Sequence, residues 1–341
     1  MVTAKKFVLV KHFEGEPKPD DLKLETEELP AIQDGEYLVE AEYLSVDPYM
    51  RPYSARYPLG TTMIGSQIAK IIESKNPDFP VGMRVSGYMG WRTHTIVNME
   101  GEHVFDSPPR LLPEMKTLMR MRFLSPSLGL GVMGMPGYTA YFGFLEVCKP
   151  RAGETLVVTG AAGAVGSHVG QIGRIMGLTV IGITGSDEKC QWLTEELRFD
   201  HAINYKTQNV EAELKKVAPN GVDCFFDNVG GEIASTIIYQ MNAFGRVSIC
   251  GSISAYNNDA SEYPKATIIQ PAAVSKQLKI EGFLVWRWAD RFSEAFKTNL
   301  EWIQKERLLY RETVTEGFEN MFKAFAGMLK GENIGKAIVK P

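Results

Sequence analysis

The sequence predicts an α/β protein in which an all-β region is followed by a parallel sheet wrapped by helices. Three observations carry this expectation. The chain has 341 residues, which asks for two substantial cores rather than one. Short strand-like runs separated by Gly and Pro fill its first third. Beyond residue 150, apolar strand runs and helical stretches alternate in regular order.

In the first region, EYLVEAEYLSV from Glu36 to Val46 alternates apolar and polar residues, and strand-like runs recur at Ile68 to Ile72 and Arg84 to Tyr88, which reads as a small barrel. Near Leu128 a glycine-rich turn, GLGVMGMPG, leads into YTAYFGFLEV, whose apolar and small residues recur at helical spacing. Strands are then expected at Thr155 to Thr159, Thr179 to Thr184, His201 to Asn204, Val222 to Asp227 and Arg246 to Cys250. Helices are expected over Val165 to Met176, Glu188 to Arg198 and Ile233 to Met241. The tail has a helix-like centre and finishes in a strand-like AIVK, placed to return and complete the first domain.

Composition narrows the function classes. A formal net charge of -4 with scattered Lys and Arg offers no basic stripe, so nucleic acid is not an expected partner. The apolar run in MVTAKKFVLVKHFEG is too short for a signal h-region, and no later stretch is long enough to span a bilayer, so a cytoplasmic protein without membrane association is expected. Cys148, Cys190, Cys224 and Cys250 lie far apart without a CxxC pair, and read as buried thiols rather than a zinc ribbon or a disulfide framework. His12, His94, His103, His168 and His201 show no ligand spacing, so no catalytic metal is expected.

The sharpest local signal is TLVVTGAAGAVGSHVGQIGRIMG, Thr155 to Gly177, an apolar strand, a glycine-rich turn and a helix with small residues on one face. It nearly matches G-x-G-x-x-G, with Ala161 in the first position followed by Gly163 and Gly166. Small residues let the backbone approach a pyrophosphate, which the helix N-terminus favours. The alternative is a merely tight strand-to-helix turn, against which the continuing βαβ order argues. An acid about twenty positions on would hold the ribose hydroxyls of NAD, but that place reads Thr184-Gly185-Ser186. Ser186, Lys189 in GSDEK and Tyr205 near the end of the next strand instead suit a 2′-phosphate by charge-assisted hydrogen bonding. Against this stands the reading of Ser186 as a helix N-cap and Lys189 as a solvated residue.

The runs VDPYMR (46–51), GMPGYTAYFG (134–143), AAGAVGS (161–167), GSDEK (185–189), FDNVGG (226–231), CGSIS.Y (250–256), EGFENM (316–321) and GKAIVK (335–340) occur in order. Together they resemble the prostaglandin reductase family, the NADP-dependent 2-alkenal reductases among the zinc-independent medium-chain dehydrogenase/reductases, over essentially the whole chain. The resemblance implies a Rossmann doubly wound parallel sheet inserted into a GroES-like β-barrel catalytic domain, with boundaries at 1–127, 128–307 and 308–341, and NADP(H) in the cleft. It carries cofactor contact onto Gly163, Ala164, Val165 and Gly166, onto Lys189, Tyr205 and Asn228, and onto the loop Cys250, Gly251, Ser252, Ile253, Ser254, Ala255 and Tyr256. Phe283, Leu284, Val285 and Asn333 complete the cofactor set, and Tyr49 and Arg51 would line the substrate mouth, unless Arg51 pairs structurally with an acid.

The implied activity is NADPH-dependent reduction of the carbon–carbon double bond of α,β-unsaturated ketones and aldehydes, of 15-oxo-prostaglandin-like and 2-alkenal type, by a homodimer. Oxidation of a leukotriene-B 12-hydroxyl would be a further activity. Without a metal, Tyr256 and the cofactor ribose hydroxyl would stabilise the enolate, whereas a packed Tyr256 with a solvated hydroxyl is the plain alternative. Rival readings are a quinone reductase of the same fold and a crystallin-like NADPH-binding protein without turnover. Three stretches depart from the family pattern: 101–127 is longer and rich in Met and Arg, Leu197-Arg198-Phe199-Asp200 has Arg in place of Gly, and 257–271 is poorer in proline.

Overall fold

The computed structural model describes residues 1–111, 124–258 and 260–341. The chain forms β1 (Val2–Leu9), β2 (Leu22–Leu29), β3 (Glu36–Ser45), β4 (Gln67–Ser74), β5 (Arg84–Gly87) and β6 (His94–Asn98). There follow β7 (Thr155–Thr159), β8 (Thr179–Thr184), β9 (His201–Asn204), β10 (Val222–Asp227), β11 (Met241–Ile249) and β12 (Lys279–Gly282), and lastly β13 (Glu312–Glu316) and β14 (Lys336–Lys340). Two compact units result: Met1–Leu130 with Glu312–Pro341, and Gly131–Arg311. The divisions fall at 130/131 and 311/312, not at 127/128 and 307/308. Among the described residues no helix is long and apolar enough to cross a membrane.

In the first unit, β1 and β2 form an antiparallel ribbon, and a second sheet runs β13-β14-β3-β4-β5 with β6 also paired to β3. The expected return of the tail is realised by β14, which pairs with β3 through Ile338 opposite Ser45 and Val339 opposite Leu44. Trp91, Met50 and Phe325, all essentially inaccessible, anchor the core beneath it. The β1–β2 ribbon gave little sequence signal, because LKLETEEL buries only its two end residues and its remaining side chains are polar or partly exposed.

The second unit holds a parallel sheet in the order β12-β11-β10-β7-β8-β9. Strands β7 to β10 match the sequence expectation residue for residue. β11 begins at Met241 rather than Arg246, and the helix before it, Gly231–Ile238, ends sooner than expected. Phe244 in the left-handed region (φ 63°) and a register shift opposite Val222/Cys224 interrupt the alternation that would have revealed the early part of β11.

The helix expected over Glu188 to Arg198 is one α-turn, Asp187–Gln191, followed by a π-turn, Trp192–Glu196. The wider turn lets Trp192, Leu193 and Leu197 all enter the core, with the Leu197 N–H donating to the Trp192 carbonyl at 3.1 Å. Arg198 then adopts φ 57° on the surface. Its departure from Gly is thus confined to an exposed turn whose backbone Gly adopts without cost. Of the other departures, 112–123 lie outside the described residues.

The helix Ala164–Ile175 packs closely on the sheet through a face of small residues. A Cβ at Gly170 would overlap the Phe199 ring, and one at Gly173 would lie 2.6 Å from Leu156 Cδ2. His168 on this helix is 3 % exposed, and burial pushes its pKa down to about 4, opposed in part by the Ala164 backbone. Between pH 6.5 and 4 the unfolded chain takes up a proton that the folded chain refuses, so stability should fall as pH drops through this window, by roughly 3 kcal/mol in all. Urea unfolding of a His168→Leu variant at several pH values should show that slope flattened; an unaltered slope would remove His168 as its source.

Candidate functional site

β7 ends at Thr159, and the chain turns at Gly160 (φ 59°) into a loop fixed by two hydrogen bonds, Ala161 N–H to the Ile183 carbonyl at 3.1 Å and Gly163 N–H to the Gly160 carbonyl at 3.0 Å. Gly163 is the N-cap of the helix Ala164–Ile175 and supplies no side-chain bond, so Ala164, Val165 and Gly166 open the helix without a side-chain cap. A Cβ at Gly166 would overlap the Gly160 carbonyl oxygen and lie 2.8 Å from Ala161 Cα. Small residues here are a steric requirement of the turn, and the bare backbone and helix dipole fit a pyrophosphate.

Gly185 and Ser186 leave the end of β8 beside Tyr205 and Lys206, which leave β9. Ser186 is the helix N-cap, its Oγ accepting from the Lys189 N–H at 3.3 Å, as the local reading anticipated. Lys189 is partly buried; burial pulls its pKa below the ordinary lysine value, the Lys206 charge adds to this and Glu188 opposes it. Sequence reasoning missed Lys206, although NYK directly follows the strand HAIN.

The strand order reverses between β7 and β10, and in open parallel sheets such a switch point is where ligands bind, beyond the C-terminal strand ends. Thr159 Oγ1 donates to Asp227 Oδ1 at 2.7 Å, and the same oxygen accepts from the N–H groups of Val229 and Gly230 at 3.0 Å each. Asn228 donates its side-chain N–H to the Thr159 carbonyl at 2.7 Å. Its amide nitrogen thus ties two strand ends together, while its side-chain oxygen can accept from a ligand and its second N–H can donate to one. Asp227, which the sequence did not single out, also accepts from the N–H groups of Cys250 and Gly251 through its carbonyl, at 2.8 and 3.2 Å.

The loop after β11 is pinned to the 228–231 turn by Ile253 N–H to the Asn228 carbonyl at 3.1 Å and Ser254 Oγ to the Val229 carbonyl at 2.6 Å. The Tyr256 hydroxyl folds back over its own loop, 3.4 Å from the Ser252 nitrogen and 2.8 Å from where a Gly251 Cβ would stand. The Cys250 thiol is pushed up to about 12, by burial first and by the Asp227 charge second. It is partly buried, as is Cys190, whereas Cys148 and Cys224 are buried as expected.

After β12 the Phe283 ring covers Gly143 and meets Phe226 and Trp288 at centroid distances of 6.2 and 5.6 Å. Its side chain is therefore committed to packing. Contact with a cofactor there would come from backbone or from Leu284, which is 63 % exposed, while Val285 is buried.

Tyr49, Arg51 and Asn333 belong to the other unit. Asp47, two residues before Tyr49, is held by Ser45 Oγ and by the buried Lys336 ammonium at 2.9 Å. The Tyr49 hydroxyl is buried without a hydrogen-bond partner among the described residues, and burial raises its pKa well above the usual phenol value, with Tyr88 and Asp47 adding to the shift. Its ring meets those of Tyr53 and Phe105 at 5.9 and 6.0 Å. Arg51, read as either a substrate-mouth or a structurally paired residue, is 6 % exposed, donates to the carbonyls of Phe13 and Gly15 at 3.0 and 2.9 Å, and stacks over Phe13. Its guanidinium fastens the β1–β2 connection. Asn333 donates to the Gly335 carbonyl at 2.8 Å and closes its own turn. Among the described residues no cluster of His, Cys, Asp or Glu could hold a metal ion.

A family model described as N-terminal domain of oxidoreductase matches residues 5–105, and one described as zinc-binding dehydrogenase matches 164–305. Prostaglandin reductase 1 of Bos taurus is 49 % identical, covering 100 % of each chain. The chain belongs to the prostaglandin reductase 1 family. With it the prostaglandin reductase 1 fold expected from the sequence, a Rossmann-like parallel sheet and a separate β domain, is established within the zinc-independent medium-chain dehydrogenase/reductases. The NADPH-dependent curcumin reductase of Escherichia coli (strain K12) is 33 % identical over 98 % of this chain and 96 % of its own. Among solved structures, CurA from Vibrio vulnificus in complex with NADPH superposes with a TM-score of 0.88 at 35 % identity, covering 98 % of each chain.

Proposed function

We propose that the protein is an NADPH-dependent reductase of the carbon–carbon double bond of α,β-unsaturated ketones and aldehydes. The observation that carries the reading is full-length similarity to prostaglandin reductase 1 joined to a strand end at Gly185 that presents cations instead of an acid. The curcumin reductase relative and the NADPH complex of CurA favour the same cofactor and enone chemistry.

The residues present fit the cofactor. The Gly163 to Gly166 turn would hold the pyrophosphate, Lys189, Ser186 and Tyr205 would hold the 2′-phosphate, and the Asn228 turn with the Cys250 to Tyr256 loop would receive the nicotinamide end. When bound, the reduced nicotinamide supplies hydride to the β-carbon of the enone, leaving negative charge on the carbonyl oxygen. Tyr256 would donate a hydrogen bond to that oxygen. A proton from solvent would then add to the α-carbon, completing the hydride-plus-proton balance of the saturation.

Turnover of an enone with NADPH deuterated at the transferred position, in the presence of a metal chelator, tests the reading. The label should appear on the β-carbon of the saturated product, with enones outpacing quinones and simple alcohols. Deuterium on the carbonyl carbon would overturn double-bond reduction, and preferred quinone turnover would favour the quinone reductase alternative. NADPH binding without any turnover would instead favour a crystallin-like protein.

A homodimer and a cytoplasmic location complete the reading. β12 stands at the edge of the parallel sheet, and an edge strand pairs readily with a second copy of itself. Unpaired thiols suit a reducing compartment. Leukotriene-B 12-hydroxyl oxidation remains a secondary activity of the same site in this reading, with prostaglandin-like ketones and 2-alkenals as the principal substrate classes.

A further inference from the structure

We propose that Lys206 is a second cation of the 2′-phosphate site, so that preference for NADPH over NADH rests on Lys189 and Lys206 together. The inference rests on the cofactor reading above and adds a residue that neither the motif nor the family comparison supplied.

The argument begins with strand register. β8 and β9 are parallel neighbours with Thr184 opposite Asn204, and the Tyr205 N–H donates to the Thr184 carbonyl at 3.0 Å. The residues that follow each strand therefore emerge side by side at the same sheet edge. A Cβ built on Gly185 would lie 3.0 Å from Tyr205 Cε1, 3.1 Å from the Tyr205 hydroxyl and 3.3 Å from Lys206 Cε. Tyr205 and Lys206 thus reach over the position where an NAD-type acid would stand, and the lack of a side chain at Gly185 leaves room for them.

Charge points the same way. Lys189 lies within electrostatic range of Lys206, whose charge helps to lower its pKa after the larger effect of burial. Two ammonium groups so close repel one another. Among the described residues Lys206 has no ion-pair partner. The nearby Asp187 accepts from Asn204 Nδ2 at 2.7 Å, and Glu188 acts on Lys189. What relieves a pair of cations flanked by phenolic and serine hydroxyls is a dianion with several acceptor oxygens, and a phosphate monoester carries a charge of about -1.5 to -2 at neutral pH. A phosphate on the adenosine ribose and free inorganic phosphate share that chemistry.

Titration of the full chain with NADPH, NADH, adenosine 2′,5′-bisphosphate, 5′-AMP and inorganic phosphate tells these apart. Lys206→Met should weaken NADPH and the 2′,5′-bisphosphate by roughly tenfold, less than a buried charged contact because Lys206 is exposed. NADH and 5′-AMP should bind as before, and Lys206→Arg should restore most of the loss. If Lys189→Met loses NADPH while Lys206→Met does not, Lys206 has no part in the site and the cofactor reading stands. If all ligands weaken alike in Lys206→Met, the lysine supplies only a general field and the proposal fails. Tighter binding of inorganic phosphate than of the 2′,5′-bisphosphate would overturn recognition of the ribose ester. If the unaltered protein binds NADH as tightly as NADPH and neither lysine matters, the cofactor reading itself is wrong.

Discussion

Tyr256→Phe should lower turnover roughly a hundred- to a thousandfold if this hydroxyl is the main donor to the developing oxyanion, and about tenfold if the cofactor ribose hydroxyl shares the task. NADPH affinity should change little, because the ring and its packing remain. Within the loop the Ser252 N–H approaches this hydroxyl at 3.4 Å, long for a hydrogen bond. The loop is held instead by Ile253 and Ser254 on the Asn228 turn. The hydroxyl is carried on the loop that leaves the C-terminal end of β11 beside the switch point, the edge of a parallel sheet at which ligands bind. Single-turnover rates beside cofactor titration separate the two outcomes, since a group used only in the transition state lowers the rate and leaves binding alone. Unchanged turnover would end the assignment.

Lys189→Ala should weaken NADPH roughly ten- to a hundredfold while hardly touching NADH. Lys189 is held in place by the short helix that Ser186 caps, and it is partly buried, so a dianion beside it is screened less than one in open water. Its lowered pKa states the same fact from the protein's side: the charged form is costly there until an anion arrives. Dissociation constants for the two cofactors, measured side by side, decide it. An equal loss for both would mean that the substitution loosens the turn at Gly185 rather than removing a phosphate contact.

Much of the parallel-sheet unit was legible because β7 to β10 are short, apolar and punctuated by turns, so pattern and pairing agree. The legible part of the site followed from a backbone requirement: Gly166 must be small because a Cβ there would overlap the Gly160 carbonyl. What escaped was what only register or tertiary packing decides. Lys206 matters through the pairing of β8 with β9, and Asp227 through oxygens that bind two neighbouring loops. Arg51 and Phe283 carry residue types that suit a ligand as well as a core, and only the carbonyls around one and the Gly143 surface beneath the other reveal their structural work. The β1–β2 ribbon hid because a strand that buries so few of its residues leaves little apolar alternation to read.

The compounds assigned to this site are electrophiles that alkylate sulfur by conjugate addition, and the attacking species in that side reaction is the thiolate. Burial and the Asp227 charge push the Cys250 thiol up, which favours the protonated, unreactive form at neutral pH. A thiol held in that form is a poor nucleophile toward Michael acceptors, although it stands in the loop that leads to Tyr256. The burial that shapes the loop also protects the catalyst from covalent self-inactivation by the molecules it is there to saturate.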